Sequence, residues 1–166
     1  ILFDTCIKFG LNNFIFSSTA AVYGNAKNTP VNENVNLLPL NPYAKSKVLT
    51  EKYLIKLSKE KKAKSIILRY FNVAGADPFL RSGLITSQST HLIKIASEAV
   101  VNKRNHVIIY GNNYPTPDGT AIRDYIHVSD LSAAHTIAID YLINGGESKI
   151  LNLGTSKGYS VYDVIN

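Results

Sequence analysis

Four short apolar runs, each ending in or leading into a polar or glycine residue, constrain the fold of this chain more than any other feature. They are "NFIFSS" at 13–18, "SIILRYF" at 65–71, "HVIIYG" at 106–111 and "KILNLG" at 149–154. The first suits a strand buried on both faces, the second reads as another buried strand, and the last two read as short strands. Helical stripes lie between them. Val48, Leu49, Tyr53, Leu54 and Leu57 mark one helix over 43–59, and Leu92, Ile95, Ala96, Ala99 and Val100 mark another. A third carries Leu131, Ala134, Ile137, Ala138 and Tyr141, with Ser129 read as its N-cap, Asp130 in its first turn and Gly145-Gly146 as its stop. Strand and helix in alternation predict an α/β fold with a parallel sheet covered by helices.

The turn-rich stretch 24–42 and the Pro- and Gly-rich "NNYPTPDGT" read as loops. The opening "ILFDTCIKFG" reads as an amphipathic helix. The closing "YSVYDVIN" reads as a helix start capped by Ser160. With no methionine anywhere and both ends reading as interrupted helices, the expectation is a piece of a longer chain.

No apolar run is long enough to span a bilayer, so no membrane partner is expected. Cys6 is the single cysteine, which leaves no internal disulfide and fits a reducing, cytoplasmic setting. The formal charge of +6 draws heavily on "KLSKEKKAK" at 56–64. With no aromatic residues interleaved for base stacking, that cluster reads as a solvated helix end and not as a nucleic-acid surface. No set of Cys, His, Asp and Glu has metal-ligand spacing, so no metal is expected.

The chemistry gathers around "NPYAKSK" at 41–47. A helix starting near Pro42 puts Tyr43 and Lys47 on one face, a turn apart. A free phenol titrates near 10 and is a poor base at neutral pH. A nearby cation favours the phenolate, and a positively charged nicotinamide would add to that. The pair alone is a weak signal. Two strand exits strengthen it: "FIFSSTAAVYG" offers the hydroxyls of Ser17, Ser18 and Thr19, and "LRYFNVAGA" leaves its strand at Asn72 and the flexible Gly75. Ligands of open parallel sheets sit beyond such carboxyl ends. His127, alternating with apolar neighbours in "DYIHVSD", reads as structural, and neither His91 nor His135 has a histidine partner nearby in sequence.

Taken in order, "SSTAAVYG", "NPYAKSK", "LRYFNVAGA", "GNNYPTPDGTAIRDYIHVSDLSAAH" and "NLGTSKGYSV" resemble the motifs of the extended short-chain dehydrogenase/reductases. Within that family, the NAD-dependent epimerases and dehydratases, the likeness is to its UDP-glucose 4-epimerases. The resemblance implies a Rossmann-like, doubly wound parallel sheet lacking its N-terminal strands, plus part of a small C-terminal substrate-binding region. The division expected is residues 1–75 for the cofactor-binding part and 76–166 for a mainly substrate-binding part with one returning strand. It implies NAD as cofactor, a UDP-sugar as substrate and a homodimer for the intact protein.

Residue by residue, Tyr43 matches the family's proton acceptor for the sugar 4-hydroxyl. Lys47 matches the lysine that bonds the nicotinamide ribose and eases loss of the phenol proton. Thr19 matches a hydroxyl on that same 4-hydroxyl, and Phe71 a position against the cofactor. Asn72 matches a contact to the sugar diphosphate. Thr90, His91 and Leu92, with Ile108, Ile109 and Tyr110, match the uridine seat. Arg123 matches an arginine on the diphosphate, where a guanidinium can fork onto two oxygens.

Departures from the family limit the expectation. The glycine-rich turn that holds the NAD pyrophosphate is absent, and "LNLGTSKGYSVYDV" has the wrong spacing to replace it. "ADPFLRSGLITSQS" departs from the acidic loop common at that point. A 4,6-dehydratase would carry an Asp-Glu pair where this chain has Ala20-Ala21, so that chemistry is disfavoured. The alternatives left open are an epimerase of a related UDP-sugar and a catalytically inactive remnant.

Overall fold

In the computed structural model, residues 1–26 and 29–166 are described; Lys27 and Asn28, within the stretch read as a loop, lie outside the described residues. The chain forms two compact units, one of residues 1–71 and 131–153, the other of residues 72–130 and 154–166.

The first unit is built on three parallel strands, β1 (Asn13–Ser17), β2 (Lys64–Tyr70) and β5 (Lys149–Leu153), in the order β1-β2-β5. Phe14 pairs with Ser65 and Ile67 with Ile150, so the central strand is bonded on both edges. Its interior from Ser65 to Arg69 is buried throughout, as an apolar run flanked by two strands must be. Successive side chains serve opposite faces. Ile67 packs with Leu54 and Leu57 of α2 (Pro42–Lys59), against Phe3 of α1 (Leu2–Lys8) and Phe14. Ile66 and Leu68 pack with Ala138 and Leu142 of α4 (Val128–Ile143). Each such burial is worth about 1.5–3 kcal/mol. Helices on both faces of a parallel sheet are the Rossmann-like arrangement expected.

The second unit carries β3 (Asn72–Ala74) parallel to β4 (Ile122–His127), and β6 (Gly158–Ser160) antiparallel to β4. Beside them lie α3 (Leu92–Val100) and α5 (Val161–Ile165). Ser160 closes a capping box with Asp163, as the sequence suggested for the last helix. Gly75, just past β3, sits at φ +85, where a Cβ would meet the His127 ring at 2.2 Å, so the residue must be glycine.

Four expectations need correcting. β1 is half-buried and not buried on both faces: among the described residues it pairs only with β2, and its other edge is open. Residues 106–111 form no strand. Val107 and Ile109 are half-buried while Ile108 and Tyr110 are exposed, an extended run without a ladder. β4, in contrast, arises in a stretch that the sequence had left without a strand. Ser129 does not cap α4, which starts at Val128; the Ser129 amide donates to Nδ1 of His127 at 3.2 Å instead. The histidine ring thus satisfies one of the orphan donors of the helix start.

At the far end of α2, Lys56 and Lys62 both meet Glu60. No helix among the described residues is long and apolar enough to cross a membrane.

Candidate functional site

Asn41 starts α2: its side chain accepts from the Ala44 amide at 2.8 Å, and Pro42 fills the first helical position. The helix then turns Ala44, Val48, Leu54 and Leu57 inward. Tyr43 is left 54% exposed in the first turn, with Lys47 half-buried one turn on. The Lys47 ammonium donates to the carbonyl oxygen of Ser17, at the end of β1, over 2.9 Å. It lies 5.6 Å from the centre of the Tyr43 ring and 5.0 Å from that of Phe16. Amine and phenol therefore share one environment, at a strand exit. Among the described residues the Tyr43 hydroxyl has no hydrogen-bond partner, and Lys47 has used one of its three N–H donors.

The three hydroxyls leaving β1 part company. Ser17 Oγ pairs with Nε2 of His135 at 2.9 Å, and the other nitrogen of that ring meets the Leu131 carbonyl. Ser18 is fully buried and donates to Glu51. Neither faces outward as the sequence reading had allowed. Thr19 caps a 3-10 turn at Ala20–Tyr23 by accepting from the Ala21 amide, which leaves its own proton to donate. That turn holds no carboxylate. Phe71 is half-buried just past β2, its amide bonded to the Leu153 carbonyl.

Sequence reasoning missed the polar core beneath this surface. Arg69 of β2 and Glu51 of α2 form a buried pair, with Nη2 to Oε2 at 2.6 Å and Nε bridging both oxygens. Arg69 Nη1 also donates to the Tyr23 hydroxyl and the Glu33 carbonyl. Burial works against the guanidinium charge, but Glu51 and Tyr23 more than offset it and push Arg69 above its ordinary value. Burial likewise raises Tyr23, against the pull of Arg69 and Asn152. An arginine inside a buried strand run was the signal: it needs an acid, and Glu51 lies on the inner face of α2.

The second unit holds a cavity of about 490 Å³, within the usual range for small-molecule sites. Asn72, Thr90, His91, Leu92, Ile108, Ile109, Tyr110 and Arg123 all line it. The cavity thus gathers every second-unit residue that the family resemblance had matched to the substrate. Tyr114 and Tyr125 also line it and were not anticipated. Burial raises Tyr125, only partly opposed by Arg123. Arg123 is exposed on the wall, where a guanidinium can meet an anion.

The Gly154–Gly158 loop is no phosphate cradle. The amides of Thr155 and Ser156 and the Thr155 hydroxyl already converge on the Asp124 carboxylate, at 2.9–3.0 Å. An anion there would lose those donors and face a like charge.

Residues 1–154 match the model of the NAD dependent epimerase/dehydratase family. The chain is 48% identical to the UDP-glucose 4-epimerase of Azospirillum brasilense over 164 residues, covering 99% of this chain and 47% of that protein. Its structure is similar to that of the UDP-glucose 4-epimerase from Brucella ovis in complex with NAD. There the TM-score is 0.92 and the identity 39%, over 98% of this chain and 50% of that one. It is also similar to the UDP-Glc/GlcNAc 4-epimerase from Campylobacter jejuni, with a TM-score of 0.77 and 47% identity, over 99% of this chain and 50% of that one. The chain spans about half the length of the curated relatives it matches. It belongs to the NAD dependent epimerase/dehydratase family.

Proposed function

We propose that the protein carrying this chain interconverts UDP-glucose and UDP-galactose by NAD-dependent epimerisation at C4. One observation carries the reading: Lys47 is fixed at the β1 exit beside Tyr43, an exposed residue whose hydroxyl is unpartnered among the described residues. An ammonium held there stabilises the phenolate that an alcohol's proton must find.

The donor set suits the cofactor. Thr19, Tyr43, Lys47 and Phe71 would hold NAD, with the remaining ammonium protons of Lys47 available to ribose hydroxyls. When bound, NAD supplies the acceptor and the source of the hydride exchanged at sugar C4. Tyr43 takes the O4 proton as the C4–H bond breaks, and the sugar becomes a 4-ketone. Thr19 donates to O4 and keeps it directed at the phenol. Tyr43 returns the proton when hydride comes back on the opposite face, so the sugar is inverted with no net oxidation. Lys47 stabilises Tyr43 in the charged half of the cycle.

For the nucleotide, the second-unit cavity offers what a uridine diphosphate needs: Arg123 for the phosphates, Asn72 for the sugar diphosphate, and Thr90, His91, Leu92, Ile108, Ile109 and Tyr110 for the uridine. The carboxyl-free turn after Thr19 argues against loss of a C6 hydroxyl. A second reading, an epimerase that also takes N-acetylated UDP-hexoses, is favoured by the Campylobacter jejuni relative, which is named for both substrates. A homodimer and a cytoplasmic location complete the proposal; the lone thiol of Cys6 fits the latter.

The test is to incubate the protein carrying this chain with UDP-galactose and no added redox partner, and to follow UDP-glucose. Its appearance supports the reading. Consumption without a C4 epimer overturns it.

A further inference from the structure

The exit of β1 is fastened to α2 twice. Lys47 and Glu51 lie one turn apart on the helix, and Ser17 and Ser18 are consecutive on the strand exit. Lys47 Nζ donates to the Ser17 carbonyl at 2.9 Å, and Ser18 Oγ donates to Glu51 Oε1 at 2.5 Å. The four residues close a ring of helix and strand. Glu51 has no freedom to turn: it is 0% exposed, and Arg69 reaches its carboxylate through both Nε and Nη2. Arg69 in turn is anchored by the Tyr23 hydroxyl and the Glu33 carbonyl. Asn152 of β5 closes the network, accepting from Tyr23 and donating to the Glu33 side chain and the Val31 carbonyl.

A buried ion pair is poor evidence for stability, since a well-packed apolar pair often does as well. What an apolar pair lacks is direction. Here the carboxylate fixes a hydroxyl on the residue next to the one that holds the lysine. We infer that Ser18, Glu51 and Arg69 are positioning residues for Lys47, setting the height of α2 against the end of β1 so that the ammonium stays beside Tyr43. This rests on the proton-acceptor reading of Tyr43, which gives none of these three a role.

A double-mutant cycle on the protein carrying this chain tests it. Ser18→Ala removes one fastening while leaving Glu51 paired with Arg69. It is expected to lower kcat about 10- to 100-fold, because small misplacements of catalytic groups cost that much. KM for UDP-galactose should stay within about twofold. Made in a Lys47→Ala background, the same change should cost less than about twofold in kcat, since a residue acting through Lys47 has nothing left to position. Tyr23→Phe loses the hydrogen bonds from Arg69 Nη1 and to Asn152 but leaves the bonds of Arg69 to Glu51 and to the Glu33 carbonyl in place, so it should lower the melting temperature and leave kcat near wild type. Should Ser18→Ala fail to fold, Ser18→Cys keeps a donor at that position, a weaker one on a somewhat larger atom, and carries the same expectation at smaller size.

An unchanged kcat in the Ser18 variant, an equal cost in both backgrounds, or an equal loss in Tyr23→Phe would overturn the inference. Tyr43→Phe with wild-type turnover would instead overturn the proton-acceptor reading beneath it. Loss of turnover in Tyr43→Phe together with an additive Ser18→Ala overturns the positioning role alone.

Discussion

The Lys47 ammonium is bound to the carbonyl oxygen of Ser17, 2.9 Å away, so a lysine on a helix is tied to the last residue of a parallel strand. A flexible four-carbon side chain would otherwise sample many rotamers, at a cost in entropy each time it had to return. The backbone acceptor holds the charge at the strand exit, beside an exposed phenol, before any ligand arrives.

Removing one partner of the buried pair should be severe. Glu51→Ala leaves the Arg69 guanidinium buried without its carboxylate and is expected to cost about 3–5 kcal/mol of stability. The double replacement Glu51→Met with Arg69→Met should cost clearly less than the single one. Urea unfolding of the variants measures both.

Arg123→Ala should weaken UDP binding about 10- to 100-fold, the loss of a charge-assisted bond, with little change in melting temperature because the side chain is exposed. Calorimetric titration with UDP reads the affinity. An unchanged value removes Arg123 from the site.

Acid should loosen the start of α5. Asp118 is held below the usual carboxylate range by the Ser160 hydroxyl first, and by the Thr120 amide and hydroxyl. A depressed folded value means that the carboxylate's contribution is present above the unfolded pKa and is lost as pH falls through the lowered folded value. The protection of the 161–165 amides, measured against their intrinsic exchange rates, should therefore fall on acidification below about pH 4. In Asp118→Asn that acid dependence should be absent.

Much of this was legible in the sequence where one physical demand ruled. The apolar run of β2 read as a buried strand, and Asn41-Pro42 as the start of the helix that carries Tyr43 and Lys47. The 106–111 run misled because an extended apolar segment can line a cavity as well as join a sheet, and periodicity does not tell these apart. β4 escaped because "IRDYIH" mixes charged, aromatic and apolar residues, and its pairing with β3 and β6 is set by partners distant in sequence. The Glu51–Arg69 pair escaped for the same reason. Both charges were visible, but their meeting is a tertiary fact. The family resemblance named the second-unit cavity residues, yet Tyr114 and Tyr125 join the same wall only through the folded loop and strand.

The most direct test is turnover of UDP-galactose by the Tyr43→Phe variant of the protein carrying this chain, measured beside its affinity for UDP. If the phenol oxygen exchanges the O4 proton, turnover falls by about 10²–10⁴ while UDP binds as before. A variant that epimerises at the wild-type rate would contradict the account.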